Sequence, residues 1–355
     1  QSRGADTGPL VRPAGGGGMS NATTTPSAPP VLPVSGGGSR RPRLSGMTWL
    51  IWRQHRAAFW TMLALTALAV AWMLYQRAGL LDHLTAKGWP RSSPDTWMED
   101  IQPYQAETLK AGLGLLLVPV IAGVFLGAPL LAGDLESGTA KLVTTQAASP
   151  ARWLATKLGV TVPVVVVCTV ALSLVCDAWW TPLTEQDGRT GWDLTVFTNT
   201  GPVPVALTVL TVLGGVAIGM VLRRTLLSMV VTFFFAVSVL VAWSMHRLDF
   251  AEPVRIVSRS GHGGSAPAVP AGGLEVDQSY LTGSGHTLPL STCLQEPSAK
   301  AAEVCFRQKD VVGHSIDYLP LSQVSTTQWL DASVLMACAA VVAVFILLRG
   351  RKRVV

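Results

Sequence analysis

The densest run of residues able to exchange charge or hydrogen bonds within an otherwise apolar stretch is AGDLESGTAKLVTTQAASPARWLATKL, residues 132–158. Asp134 and Glu136 are acids two positions apart, and Gly138 permits a sharp backbone turn. Residues 141–146 suit a short element lying parallel to a membrane. Ser149 followed by Pro150 reads as the cap and first position of a helix. Arg152, Trp153 and Lys157 then fall on its first turns, where basic and aromatic side chains anchor helices at lipid headgroups. The set suits either a rigid lever that takes up a push from a partner or merely the polar turn that any helical hairpin needs.

The motifs of self-sufficient chemistry are missing. SGTAKLVTT lacks the glycine spacing with which backbone N–H groups wrap phosphates, so no Walker-type nucleotide site is expected. The sequence holds no HExxH zinc motif, no GxSxG nucleophile elbow and no CxxC pair. His262, His286 and His314 lack ligand spacing, and neither a metal nor a cofactor is expected in this chain. Cys293 and Cys305 share one segment and are candidates for a disulfide. Cys168, Cys176 and Cys338 fall in or beside apolar windows and read as packing residues.

The elements that must position these residues follow from composition. Of 355 residues, 49% are hydrophobic and only 14% charged, against about 25% charged in soluble domains; the mean hydropathy is +0.40. Six windows carry no Asp, Glu, Lys, Arg or His: 57–75, 111–133, 158–176, 202–222, 225–245 and 332–348. A bilayer core of about 30 Å takes about 20 helical residues, and barrel strands would alternate polar with apolar positions, which these do not. The expected fold class is an all-α integral membrane protein with six transmembrane helices. Gly123 with Gly127, and Gly215 with Gly219, are small-residue pairs suited to close helix packing.

Orientation is read from the 27 basic and 21 acidic residues. With the N-terminus inside, the inner segments hold 16 basic residues and three acids, leaving 11 and 18 outside. The excess of +6 is thus a topology signal, N-in and C-in, and no nucleic-acid partner is expected. Trp72, Trp179, Trp180, Trp243 and Trp329 fall at outer ends of windows, and Trp49, Trp52, Trp60 and Trp153 near inner ends, as amphipathic rings favour. Residues 1–46, half of them Gly, Pro or Ser, read as a disordered leader, with a new regime opening at Met47. Residues 47–56 form an amphipathic interfacial helix or simply a basic flank. Residues 57–246 read as a five-helix bundle with an inner coupling loop at 134–157. Residues 247–331 are expected to be a large, irregular extracytoplasmic segment, 332–348 the sixth helix and 349–355 a basic tail.

WRQHR before the first window, GAPLLAGDLESGTAKLVTTQAASPARWLATKLG across the second and its loop, and RRTLLSM between the fourth and fifth resemble one family. It is the permease subunits of ATP-binding-cassette exporters of the type-2 class, in their actinobacterial half-transporter form. The ending, DYLPLSQVSTTQWLDASVL followed by a span and Arg351, Lys352 and Arg353, is similar in layout. The resemblance runs from about Met47 to the C-terminus and is strongest over residues 127–157. It implies a plasma-membrane, multi-pass permease, not itself an enzyme, that pairs with a second permease copy, as a homodimer or with a close paralogue. A separate ATP-binding-cassette ATPase subunit would bind ATP-Mg and drive export. By position, Glu136, Gly138 and Thr139 match the family's E-x-G-T pattern, and Thr145, Gln146, Arg152, Trp153 and Lys157 its continuation, the element that docks on the ATPase. Trp49, Trp52, Arg53 and Arg56 would belong to a lateral helix, and Arg223 and Arg224 to an inner hairpin. At 321–329, LSQVSTTQW departs from the family's basic-aromatic stretch. The alternative reading is a non-transporting scaffold or sensor with an extracytoplasmic ligand-binding region.

Overall fold

A computed structural model describes residues 47–89, 91–92, 102–138, 150–184, 191–261 and 263–353. The leader 1–46 and the loop residues 139–149, Thr139, Thr145 and Gln146 among them, lie outside the described residues.

Helix α1, Met47–Ala86, is continuous over 40 residues. Neither Gly nor Pro interrupts it before Gly79, so nothing breaks its hydrogen-bond ladder. At 1.5 Å per residue it runs about 60 Å, twice a bilayer core. The interfacial helix expected at 47–56 is therefore not a separate element; it is the opening of α1.

The second crossing is segmented into α2 (Gln102–Leu115), α3 (Val118–Ala122), a π-helical turn (Gly123–Gly127) and α4 (Ala128–Glu136). Pro119 explains the first break, because its ring opposes the carbonyl of residue i−4, here Leu115, and it lacks an N–H. Then come α5 (Pro150–Thr184), opened by the anticipated proline, α6 (Leu194–Asn199), α7 (Val203–Leu222) and α8 (Thr225–His246). The last is α10, Val324–Arg353.

Six helices are long and apolar enough to cross a membrane: Thr48–Ala86, Gln102–Glu136, Ala151–Thr181, Val203–Leu222, Thr225–His246 and Leu321–Arg351. All six charge-free windows coincide with them.

Helix α7 is the most enclosed of the six, packed by α4, α8, α10 and the π-turn. Its glycines face those of the second crossing. A Cβ on Gly127 would stand 2.5 Å from the carbonyl oxygen of Val212, and one on Gly219 2.5 Å from that of Ala128. Both approaches are closer than any side chain allows, so the two glycine pairs form one backbone-to-backbone crossing.

Between α8 and α10 the expectation of irregular structure is corrected. Strands β1 (Val254–Ser258), β2 (Leu274–Thr282), β3 (Thr287–Pro289) and β4 (Val311–Leu319) form an antiparallel sheet in the order β1-β4-β2-β3. Helix α9, Ala299–Gln308, precedes β4. Ile256 faces Ile316 and Tyr280 faces His314 across the ladder. The strands are separated by Gly-, Ser- and Pro-rich connectors, which hid their β-branched and aromatic residues in the segment average. Cys293 and Cys305 are joined, with Cα atoms 5.9 Å apart, tying α9 to the turn before it.

Candidate functional site

The facing ends of α4 and α5 carry most of the residues singled out from the sequence. Lys157, two turns into α5, has a fully buried side chain, and Trp153 is buried one turn before it. Neither is a headgroup anchor; only Arg152 of the three is exposed. The correction has a physical cause, since the Lys157 ammonium finds better partners inside than at the surface. It pairs with the Asp134 carboxylate, donates to the carbonyl of Leu130 at 2.8 Å, and lies 4.8 Å from the Trp153 ring centroid. His55 Nε2 is 3.3 Å from the same nitrogen. Gln54 donates from Nε2 to Asp134 Oδ1 at 2.6 Å. One buried polar knot thus joins α1, α4 and α5.

Glu136, at the last position of α4, makes a second joint. Its Oε2 accepts from the backbone N–H of Thr225 at 2.8 Å and from the Thr225 hydroxyl at 2.6 Å. Thr225 opens α8, where the first N–H groups lack intrahelical partners and the dipole favours an anion. A side chain from α4 therefore caps α8. The turn between α7 and α8 is only Arg223 and Arg224. Arg223 adopts φ 57° and donates its N–H to the carbonyl of Gly219 at 3.0 Å, closing α7 in the left-handed conformation usually left to glycine. Gly138, at φ 72°, turns the chain directly after α4.

Trp153, Leu131, Met220, Arg223 and Arg349 converge on one void of about 10 Å³, room for at most a single water. The described residues around this void are closely packed. Among the opening residues of α1, the Arg53 guanidinium lies 5.2 Å from the Trp49 ring, and Trp52 stacks on Phe59 at 5.3 Å. Arg56 is exposed. Among the described residues no group of three or more His, Cys, Asp or Glu could hold a metal ion.

Sequence reasoning missed Gln54 and His55 as members of the knot and treated Asp134 only as a loop acid. A signal was present, because a carboxylate at the end of an apolar helix demands a partner. What the arrangement does chemically is mechanical. The end of α4 and the start of α5 are fastened to α8 and α1.

A family model described as ABC-2 membrane transporter related matches residues 63–247, from within α1 to just past α8 and just over half of the chain. No curated protein and no solved structure matches it.

Proposed function

The chain belongs to the ABC-2 membrane transporter related family, and from that premise we propose that it is the permease subunit of an ATP-driven exporter in the plasma membrane. ATP-Mg is bound and hydrolysed in a separate ATP-binding-cassette ATPase subunit, which docks against residues 134–157. Both termini lie on that inner side, and the sheet β1–β4 lies outside. A second permease copy, identical or a close paralogue, completes the pathway.

The observation that carries this reading is the double fastening of the segment's two flanks, Lys157 and Asp134 to α1 and Glu136 to α8. A push on the loop is thereby delivered to four crossings at once. Arg223 and Arg349 line the packed void, and Arg53, Arg56, Arg152 and Arg224 adjoin residues of the knot and its joint in sequence, as the inner face of a membrane protein requires.

Glu136→Lys places a cation on the N-terminus of α8 in place of the capping carboxylate. Tagged wild-type chain purified from native membranes is expected to bring down a subunit with ATP-hydrolysing activity. The variant is expected to stay membrane-inserted and retain that subunit while its transport into inverted vesicles is lost. Unchanged transport would remove the joint from the mechanism. An eluate with wild-type chain but no ATPase activity would favour the alternative, a sensor whose sheet binds a ligand.

A further inference from the structure

At the end of the bundle away from Lys157, α5 and α10 diverge around a cleft of about 830 Å³, within the range of small-molecule sites. Its floor is the turn leading into α7. Gln328, buried on α10, donates from Nε2 to the carbonyls of Phe197 and Thr200 at 3.1 and 3.2 Å and to the Thr200 hydroxyl at 3.0 Å. Ser173 on α5 donates to the carbonyl of Gly201 at 3.0 Å. Gly201 itself has φ 65°, and a Cβ there would stand 2.5 Å from Gln328 Oε1. The floor is thus hydrogen-bonded and fixed, and lacks a side chain where one would intrude.

The walls differ in chemistry. Val170, Leu174 and Met336 supply apolar surface, and the exposed Trp329 supplies an aromatic face. Asp177 is the one formally charged side chain of the lining, and it is exposed. Among the described residues no cation lies within ion-pair distance of its carboxylate. Another groove, about 800 Å³ between α1 and α2, offers no such group: Glu107 and Lys110 at its rim are already paired at 2.7 Å.

We propose that the cleft between α5 and α10 binds a lipophilic monocation, with its charge against Asp177 and its apolar body along Leu174 and Met336. An exposed carboxylate in a cleft that also presents the Trp329 indole complements a weakly hydrated cation through Coulomb attraction and the ring quadrupole together. About 18 Å of α10, from Val324 to Met336, borders the cleft, which accommodates an aromatic body of several rings. As a statement about cargo this rests on the exporter reading; the binding itself requires no ATPase.

The test uses the full chain in phosphatidylcholine nanodiscs, with tetraphenylphosphonium as probe, its isosteric anion tetraphenylborate as control, and empty nanodiscs to subtract lipid partition. Saturable quenching of tryptophan emission by the cation is expected, with no saturable component for the anion. Asp177→Asn should weaken binding at least ten-fold, Asp177→Glu should restore most of it, and Met336→Trp, which fills the cleft without touching its charge, should abolish it. Glu107→Gln in the other groove should leave it unchanged. Equal affinity in wild type, Asp177→Asn and Met336→Trp, or saturable binding of the anion, overturns the proposal. Because no ATPase is present, a negative result here leaves the Glu136→Lys experiment standing, and a failure of coupling there leaves this one interpretable.

Discussion

Lys157 and Asp134 illustrate how a buried ion pair acts at the level of single side chains. Each ion forfeits hydration, so removing one partner strands the other, at a cost of about 3–5 kcal/mol, whereas replacing both by apolar residues is often neutral. Lys157→Met and Asp134→Leu are each expected to lower the denaturation midpoint of the detergent-solubilised protein sharply, and the double variant to recover most of it. Additive losses would show that the pair is not coupled. Arg255 and Asp317 are the exposed counterpart, joined by two hydrogen bonds of 2.7 Å across β1 and β4. Those bonds hold the Asp317 carboxyl below the ordinary carboxylate range. Its stabilising contribution is therefore complete above the unfolded value of about 4 and vanishes as pH falls through the lower folded value. The melting difference between wild type and Arg255→Leu should accordingly be present at pH 6 and shrink below pH 4. Glu136 was legible from the sequence, because a carboxylate after an apolar run is conspicuous. Its partner Thr225 was not, since 89 positions separate them; nor was Gln54, 80 positions from Asp134.

At the level of elements, spacing revealed what periodicity could not. Gly127 and Gly219 announced a close crossing, and the backbone approaches of 2.5 Å explain why glycine is needed there. Gly114 on α2 has nothing within 4 Å of an added Cβ. Gly219→Leu is thus expected to cost about 1–3 kcal/mol or more through overpacking, with loss of a single gel-filtration peak, while Gly114→Leu leaves stability nearly unchanged. Similar behaviour of the two variants would dismiss the crossing. The π-turn adjoining it was invisible in sequence, for it depends on how α7 meets the second crossing rather than on any local preference. The sheet was missed for the opposite reason: VRIVS and VVGHSIDYL carry a local strand preference, but the flanking glycines and prolines outweighed it when the whole segment was read together.

For the whole molecule, hydropathy made the six crossings plain because hydrocarbon penalises charge so heavily. The distribution of Lys and Arg adds a direction. In intact cells, Ser284→Cys in the β2–β3 turn should react with a membrane-impermeant maleimide, and Arg351→Cys only after permeabilisation. The reverse pattern would invert the molecule and place the sheet beside the ATPase. The family match ends at residue 247, and the sheet and the sixth crossing lie beyond it. Helix α1 belongs to both ends of the bundle. Gln54 grips Asp134 near its start, and 23 positions later Arg77 donates to the carbonyl of Ala178 at 2.9 Å, the residue after Asp177. With no glycine or proline in that stretch, the helix behaves as a stiff pushrod about 35 Å long between those contacts: a movement imposed at its foot has no hinge in which to dissipate and is felt at the mouth of the cation cleft.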